Sequence, residues 1–285
     1  GSMAGDKIEN ARMAAASLLE SLSDGDVVSI YGFSNDVIEY APPTVVGPST
    51  RAALMQRVSQ LYAAGGTNLY GGVQAAVSRM SQAPPSHPVR RMFLISDGHA
   101  NIGPSDTTSL SNLAAGATEW GTQITAIGVG LDYDQQTLSS MVVRSSGRLY
   151  HLAQPQQMAY ILEQEMNLLS RSVALNAYIE IEPAPGVTIL EGATTGSDVV
   201  DGRLRLPLGS VFAGQHREVL FRARVDTDNV GQRPLAEARL VYQRPGEEQL
   251  RTERRPIAYE VTRNAAAAIA SGAPAVEAMV ANHEA

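Results

Sequence analysis

The chain has 285 residues, of which 44% are hydrophobic and 18% charged, an ordinary globular composition that argues against a disordered chain. Its length predicts two domains. The 22 Lys and Arg against 29 Asp and Glu give a formal net charge of −7, and because no basic stripe offsets this acidity we expect no nucleic-acid partner. The absence of cysteine excludes disulfides, thiolate metal ligands and cysteine nucleophiles. No apolar run reaches the ~18–20 residues that span a bilayer.

Helical and strand patterns alternate through the first half of the chain. Apolar residues spaced by three and four predict a helix from Ile8 to Leu22. Strand-like runs follow at "VVSIYGF", "VIEY", "VRRMFLIS", "QITAIGVG" and "RLYHL", and helical patterns separate most of them. Strands connected by helices indicate right-handed crossovers. The pattern therefore predicts an α/β domain with a doubly wound, mostly parallel sheet over residues 1–171.

The pattern changes near Ser172. "ALNAYIEIEP", "VTILEG", "RLRLPLG", "REVLFRARV", "AEARLVYQ" and "QLRTERRPIAYEV" are short alternating runs separated by Gly, Pro and Asp, without helical segments between them. This is typical of an antiparallel β-sandwich, which we predict over residues 172–262. The Ala-rich residues 263–285 predict a short C-terminal helical segment, divided at "SGAP".

Three loops belong at the carboxyl edge of the predicted parallel sheet, where such sheets bind ligands. They are the amino terminus, "GGTN" before the third helix and "SDG" after "VRRMFLI", and they supply Ser2, Thr67 and Asp97. Two hydroxyls and a carboxylate are hard oxygen ligands that suit Mg²⁺ or Mn²⁺ rather than zinc. Each residue alone is more often a helix cap or a turn residue. Their order on three loops of one edge makes them a candidate metal site.

The segments "GSMAGDKIENAR", "GGTNLYGGV" and "MFLISDGHANIG", in this order, resemble the von Willebrand factor type A (VWA) domain. They are most similar to bacterial members in which that domain precedes a β-sandwich. The resemblance implies a Rossmann-like fold and a metal ion-dependent adhesion site (MIDAS). It implies that Ser2 is the last serine of the motif D-x-S-x-S, Thr67 the second-loop threonine and Asp97 the third-loop aspartate. It further implies that an Asp or Glu of a protein partner completes the metal shell.

The chain departs from this family pattern at its amino terminus. The Asp and first Ser of D-x-S-x-S, and the central strand that carries them, would precede Gly1. Two unpaired central ladders would cost more than the ~5–15 kcal/mol that stabilises a domain, so we expect a strand from upstream residues or in trans. We interpret Gly1-Ser2-Met3 as part of the motif rather than as a cloning remnant. The incomplete motif leaves open whether this chain binds the ion.

Four further residues are candidates for partner binding at the same loop edge: Gly66, Asn68, His99 and Asp132. Asp134 is predicted to cap the helix that follows it. The sequence contains no G-x-S-x-G elbow and no phosphate loop ending in G-K-[ST]. We therefore predict that the protein is not an enzyme.

These patterns predict a divalent-metal-dependent protein–protein interaction or adhesion module. Two alternatives remain open. One is a structural scaffolding module with a vestigial metal site, and the other is an accessory subunit of an AAA-type ATPase, which the family resemblance alone suggests. Because bacterial relatives of this architecture are often exported or membrane-anchored, we expect the bacterial cell envelope or export in preference to the cytoplasm.

Overall fold

A computed structural model describes residues 2–270 and 276, apart from residues 85, 119, 170, 193–196, 215 and 248. The chain forms two compact units, Gly1–Val173 and Ala174–Ala285. The helices of the first unit are α1 (Asp6–Ser21), α2 (Pro48–Ser59), α3 (Leu69–Ser81), α4 (Thr107–Thr118), α5 (Gln135–Arg144) and α6 (Met158–Leu169). Its strands are β1 (Val27–Phe33), β2 (Val37–Val45), β3 (Arg90–Ser96), β4 (Thr122–Val129) and β5 (Arg148–Leu152).

The strands of the first unit form two sheets. β3, β4 and β5 pair in parallel, in that order, whereas β1 pairs with β2 in antiparallel fashion. All eight residues of β4 are buried, as expected for a central strand covered on both faces. The predicted α/β class with a parallel sheet is confirmed. Among the described helices, none combines the length and the apolar character needed to cross a membrane.

Strand β2 is longer than the predicted run "VIEY", because it continues through Pro42 and Pro43 to Val45. Proline lacks a backbone N–H and cannot donate a hydrogen bond to a neighbouring strand, so within sheets it is found mainly in edge strands. β2 tolerates it because it pairs with β1 on one side only in the described structure. The prediction ended this strand too early since it treated the prolines as a loop.

Strands β1 and β3 do not pair with each other in the described part of the chain, but hydrogen bonds link the segments at their ends. At their amino ends, the His87 ring donates a hydrogen bond to the Gly25 carbonyl (3.0 Å). At their carboxyl ends, the loop before α3 bonds to the Ser34 carbonyl after β1 (2.8 Å) and to the Asn101 side chain after β3 (2.7 Å). Since the amino ends are linked to each other and the carboxyl ends are linked to each other, β1 and β3 run in the same direction.

Helices cover both faces of the parallel sheet. Met92 and Leu94 of β3 pack in one apolar cluster with residues of α3, α4 and α5. Phe93 and Ile95, the alternate residues of the same strand, pack in a second cluster with α1 and α6. This alternation follows from the two-residue period of a strand, and it places α1 and α3 on opposite faces of β3.

A buried carboxylate ties α6 to the parallel sheet. Glu165 is fully buried, and it accepts hydrogen bonds from Thr125 (2.8 Å), Tyr150 (2.6 Å) and Arg148 (3.2 Å). The Arg91 guanidinium lies 3.8 Å away from the same carboxylate and is itself buried. Burial and the hydrogen bond to Glu165 raise the pKa of the Tyr150 hydroxyl. The two arginines thus compensate one buried charge within a hydrogen-bonded network.

The second unit contains antiparallel strands. They are β6 (Ser172–Pro183), β7 (Thr188–Gly192), β8 (Asp198–Val200), β9 (Arg203–Phe212), β10 (Phe221–Arg224), β11 (Gly231–Gln243) and β12 (Leu250–Val261), followed by a short helix α7 (Ala265–Ala270). One sheet has the order β12-β11-β6-β9-β8, and β10 pairs with β7. Ile189 and Phe221 of the small sheet pack against buried Leu206 and Ile181 of the large one.

The antiparallel character predicted for this region is confirmed, with two differences of extent. The run "REVLFRARV" forms a strand only over Phe221–Arg224, and β8 was not predicted. The domain boundaries at residues 171 and 262 stay predictions. Gly1 lies outside the described residues. So does the predicted C-terminal segment beyond residue 270, except for residue 276.

We expect Glu165→Gln to lower the free energy of unfolding by about 3–5 kcal/mol, because it removes the buried negative charge that faces the guanidinium groups of Arg91 and Arg148. Urea denaturation followed by circular dichroism measures the change. Glu163→Gln, at an exposed position of the same helix, is the matched control and should change stability by less than about 0.5 kcal/mol. Equal effects of the two variants would contradict the assigned role of the network.

Candidate functional site

The amino-terminal loop and the loop after β3 meet at the carboxyl edge of the sheet. The Ser2 hydroxyl donates a hydrogen bond to Asp97 Oδ1 (2.6 Å), and the Lys7 ammonium lies 2.6 Å from Asp97 Oδ2. The Asp97 side chain is only 4% exposed. Gly5 has a φ of 73°, a left-handed conformation that suits glycine, and there the chain turns into α1. Because of this turn, Ser2, which precedes Gly5, and Lys7, which follows it, both contact the same carboxylate.

The loop before α3 is held by two asparagines from neighbouring loops. The Gly66 amide donates to Asn35 Oδ1 and the Thr67 amide donates to Asn101 Oδ1, both at 2.7 Å. The Asn68 side chain caps α3 by accepting from its third residue (2.9 Å), and its amide group donates to the Asn35 carbonyl (3.3 Å). A Cβ atom at Gly66 would lie 2.7 Å from Asn101 Oδ1. Glycine at this position therefore permits the close approach of the two loops.

The three predicted metal ligands occupy one edge of the first unit. Ser2 and Asp97 are in direct contact, and Ser2, Asp97 and Thr67 all line one cavity between β1 and β3. The hydrogen bonds described for Thr67 are those of its backbone, which ties the loop to Asn101. The assignment of Ser2, Thr67 and Asp97 as metal ligands stays a prediction.

The remaining predicted residues lie along the same edge. Asp134 caps α5 by accepting from the Thr137 amide (3.0 Å), which confirms the predicted cap. His99 is mostly exposed, and its Nδ1 lies 3.5 Å from Asp134 Oδ2. Asp132 is exposed and lies, like Asp134, on the loop between β4 and α5. Partial burial alone would raise the pKa of Asp134, but hydrogen bonds from Thr137 and the nearby His99 outweigh it and hold this pKa below its ordinary value.

The donor set fits a hard divalent cation. Ser2, Thr67 and Asp97 would supply two hydroxyl oxygens and one carboxylate, the ligand types that Mg²⁺ and Mn²⁺ accept. Within the described residues, no group of three or more His, Cys, Asp and Glu side chains forms a metal cluster, so a cation here would rely on hydroxyls. It would also share Asp97 with the Lys7 ammonium.

Three residues at this edge were not predicted: Lys7, Asn35 and Asn101. Asn35 directly follows β1 in "SND", and Asn101 follows the "SDG" loop, so their positions at the ends of strands could have marked them. Lys7 carried no such signal. It lies in the first turn of α1, and it contacts Asp97 across 90 residues of sequence.

We expect Asp134→Ala to lower the free energy of unfolding by about 1 kcal/mol at pH 7, since it removes the cap of α5. Asp134→Asn keeps a capping oxygen without the charge. Because the folded-state pKa is lowered, the contribution of the charge is present above the unfolded pKa near ~3.9 and is lost as pH falls through the folded value. Urea denaturation at a series of pH values from 7 downward measures the free energy of unfolding. The difference in this free energy between the unmodified chain and Asp134→Asn should decrease at the acid end. A constant difference would contradict this.

The chain is similar in sequence and in fold to known proteins. The von Willebrand factor type A domain model matches residues 1–164, more than half of the chain. Uncharacterized protein sll0103 of Synechocystis sp. is 22% identical over 275 residues, which cover 92% of this chain and 64% of that protein. Inter alpha-trypsin inhibitor heavy chain 4 of Mus musculus is 28% identical over 155 residues, which cover 52% of this chain and 16% of that protein. The chain thus spans less than two thirds of the length of either relative.

A solved structure, a von Willebrand factor type A protein from Catenulispora acidiphila, matches with a TM-score of 0.84 at 16% identity. The match covers 96% of this chain and 66% of that one, and at this identity it shows a shared fold. VWA domains often serve as protein–protein interaction modules. The match of the family model to residues 1–164 shows that the chain belongs to the von Willebrand factor type A domain family.

Proposed function

We propose that this chain is a divalent-metal-dependent protein interaction module, in which Ser2, Thr67 and Asp97 hold Mg²⁺ or Mn²⁺. An Asp or Glu of the partner protein would complete the metal shell. The observation that supports this most is the 2.6 Å contact between Ser2 and Asp97, two residues 95 positions apart in the sequence. Thr67 lines the same cavity.

The surroundings of Asp97 favour a strong interaction with a cation. Its side chain is 4% exposed, so solvent screens its charge less than that of a surface carboxylate. The metal, when bound, supplies an electrostatic bond to an incoming carboxylate. The chain's own residues position the ligands: Asn101 and Asn35 hold the loop that carries Thr67.

Residues around the ligands would supply specificity for the partner. His99 and Asp132 are exposed on neighbouring loops of this edge, where a docking protein could reach them. Gly66 and Asn68 contribute chiefly by shaping the loop between them, since both are engaged in hydrogen bonds with Asn35. We therefore assign partner contacts to the first pair and loop geometry to the second.

A second candidate function is a structural scaffolding module with a vestigial site. The ion pair between Lys7 and Asp97 favours it, because an internal ammonium already compensates the buried carboxylate and the edge is then stable without an ion. The predicted role beside an AAA-type ATPase stays a prediction. The expected location in the bacterial envelope or outside the cell is likewise a proposal.

We expect MgCl₂ or MnCl₂ to raise the melting temperature of the chain, and Asp97→Asn to abolish the rise. A ligand that binds only the native state stabilises it by about 2.7 kcal/mol at 100 times its Kd. Thermal unfolding with metal and with EDTA measures this, and Asp132→Asn is the control that should respond like the unmodified chain. A rise of equal size in Asp97→Asn would contradict the site, and no rise in any variant would favour the scaffolding role.

We expect Lys7→Met to strengthen metal binding about tenfold, because the Lys7 ammonium competes with a cation for Asp97. Two unit charges 4 Å apart interact by about 1 kcal/mol in water and about 4 kcal/mol near a protein surface, and 1.4 kcal/mol corresponds to a factor of ten. Calorimetric titration with Mg²⁺ compares the variants, and Lys7→Arg, which keeps the charge, should bind like the unmodified chain. Weaker binding by Lys7→Met would mean that Lys7 positions Asp97 instead of competing.

A further inference from the structure

Leu131 lies at the carboxyl edge of the sheet, on the loop between β4 and α5, and it is 84% exposed. The other exposed large apolar residues in the described part of the chain reach at most 64%. A single exposed leucine is common on protein surfaces. Its meaning therefore depends on how the loop holds it and on what surrounds it.

The loop holds Leu131 in a fixed position. On one side, the Gly130 amide donates a hydrogen bond to the Leu152 carbonyl at the end of β5 (2.8 Å). On the other side, the buried Tyr133 ring packs so closely on Gly128 that a Cβ atom there would lie 2.4 Å from it. Since the chain is fixed on both sides, a partner that contacts Leu131 has little loop entropy to overcome.

A second apolar side chain, that of Ile102, is exposed on the loop after β3. Its amide donates to the Thr67 carbonyl (3.4 Å), so Ile102 lies beside the loop that carries one candidate ligand. A Cβ atom on the residue before Leu131 would lie 3.6 Å from the Lys7 ammonium, which itself pairs with Asp97. The two apolar residues therefore adjoin the candidate metal site from two different loops.

The carboxyl edge is also strongly acidic. Its segments are residues 2–7, 34–36, 60–68, 97–106, 130–134 and 153–157. These segments contain no arginine and a single lysine, Lys7, but six aspartates: Asp6, Asp36, Asp97, Asp106, Asp132 and Asp134. Such a surface repels a uniformly acidic partner and attracts a basic one. An acidic residue that completes the metal shell is therefore best carried by a segment whose other charges are positive.

We propose that Leu131 selects the partner. Next to the acidic residue that enters the metal shell, the partner carries a large apolar side chain that covers Leu131, and its other charged residues are basic. This inference rests on the proposed function, because the metal fixes where the partner's acidic residue lies. The apolar contact excludes water beside the metal bond and adds to its affinity.

The test is a selection from random peptides displayed on phage. The 285-residue chain is immobilised through its carboxyl terminus in MgCl₂ and, in parallel, in EDTA. We expect the peptides enriched in MgCl₂ to contain an Asp or Glu, a Leu, Ile, Phe or Met near it, and an excess of Lys or Arg at the remaining positions. We expect no such enrichment in EDTA.

A selected peptide, synthesised with a fluorophore, then measures the contribution of Leu131 by fluorescence anisotropy. Leu131→Ser should weaken its binding about tenfold, because the contact buries a leucine side chain. Val143→Ser, at another exposed apolar position of the same unit, is the matched control and should bind like the unmodified chain. The rise in melting temperature with MgCl₂ should be equal in all three proteins.

Two results would overturn the inference and leave the proposed function standing. One is equal binding of the peptide by Leu131→Ser and the unmodified chain, and the other is enrichment of acidic peptides in MgCl₂ without an excess of apolar and basic residues. Equal enrichment in EDTA, or none in MgCl₂, would contradict the proposed function and with it the inference. A dimer of the unmodified chain that Leu131→Ser dissociates would assign this surface to a second copy of the chain instead.

Discussion

Much of the first unit depends on one constraint: hydrogen bonds between the segments that flank β1 and β3 hold the corresponding ends of these two strands close to each other. The hydrogen bond between His87 and Gly25 fixes their amino ends, and the loop before α3 fixes their carboxyl ends through Ser34 and Asn101. The loops after both strands therefore converge at one edge, where Asp97 and Thr67 lie. The candidate metal site is a consequence of this arrangement.

Two buried carboxylates of this unit differ in how fully their surroundings occupy their oxygens. Glu165 is fully buried, and hydroxyls and arginines saturate its oxygens, so it can bind nothing further. Asp97 is nearly as buried but lies at the edge, beside an exposed serine and one lysine. Its partners come from a single short segment around α1, and a cation could replace or join them. Asp97 can therefore serve as a ligand in the proposed function, whereas Glu165 stabilises the packing of α6 against the sheet.

Membership of the VWA family accounts for the fold and for the order of the loops. Function lies in the residues grafted onto that fold, and here the surrounding residues matter as much as the ligands. In the proposed metal site, the Lys7 ammonium would compete with the cation for Asp97. Asn35 and Asn101 decide where Thr67 lies. The proposed activity therefore rests on six residues of one edge, half of which belong to no metal motif.

Local patterns in the sequence determined a good part of this structure. Apolar periodicity predicted the parallel α/β unit and the antiparallel region, because each period reports which face of an element is buried. The cap at Asp134 was predictable since it involves a residue only three positions away. The order of Ser2, Thr67 and Asp97 on successive loops predicted a shared edge, because parallel strands bring their carboxyl ends together.

Only the tertiary structure decided the contacts between distant segments. Lys7 pairs with Asp97 across 90 positions, and Asn35 and Asn101 reach the Thr67 loop from two different strands. The extent of β2 through its prolines depended on β2 having one paired side. Such contacts arise from the packing of whole elements against each other, and the spacing of residues along one segment carries no record of which other segment will lie beside it.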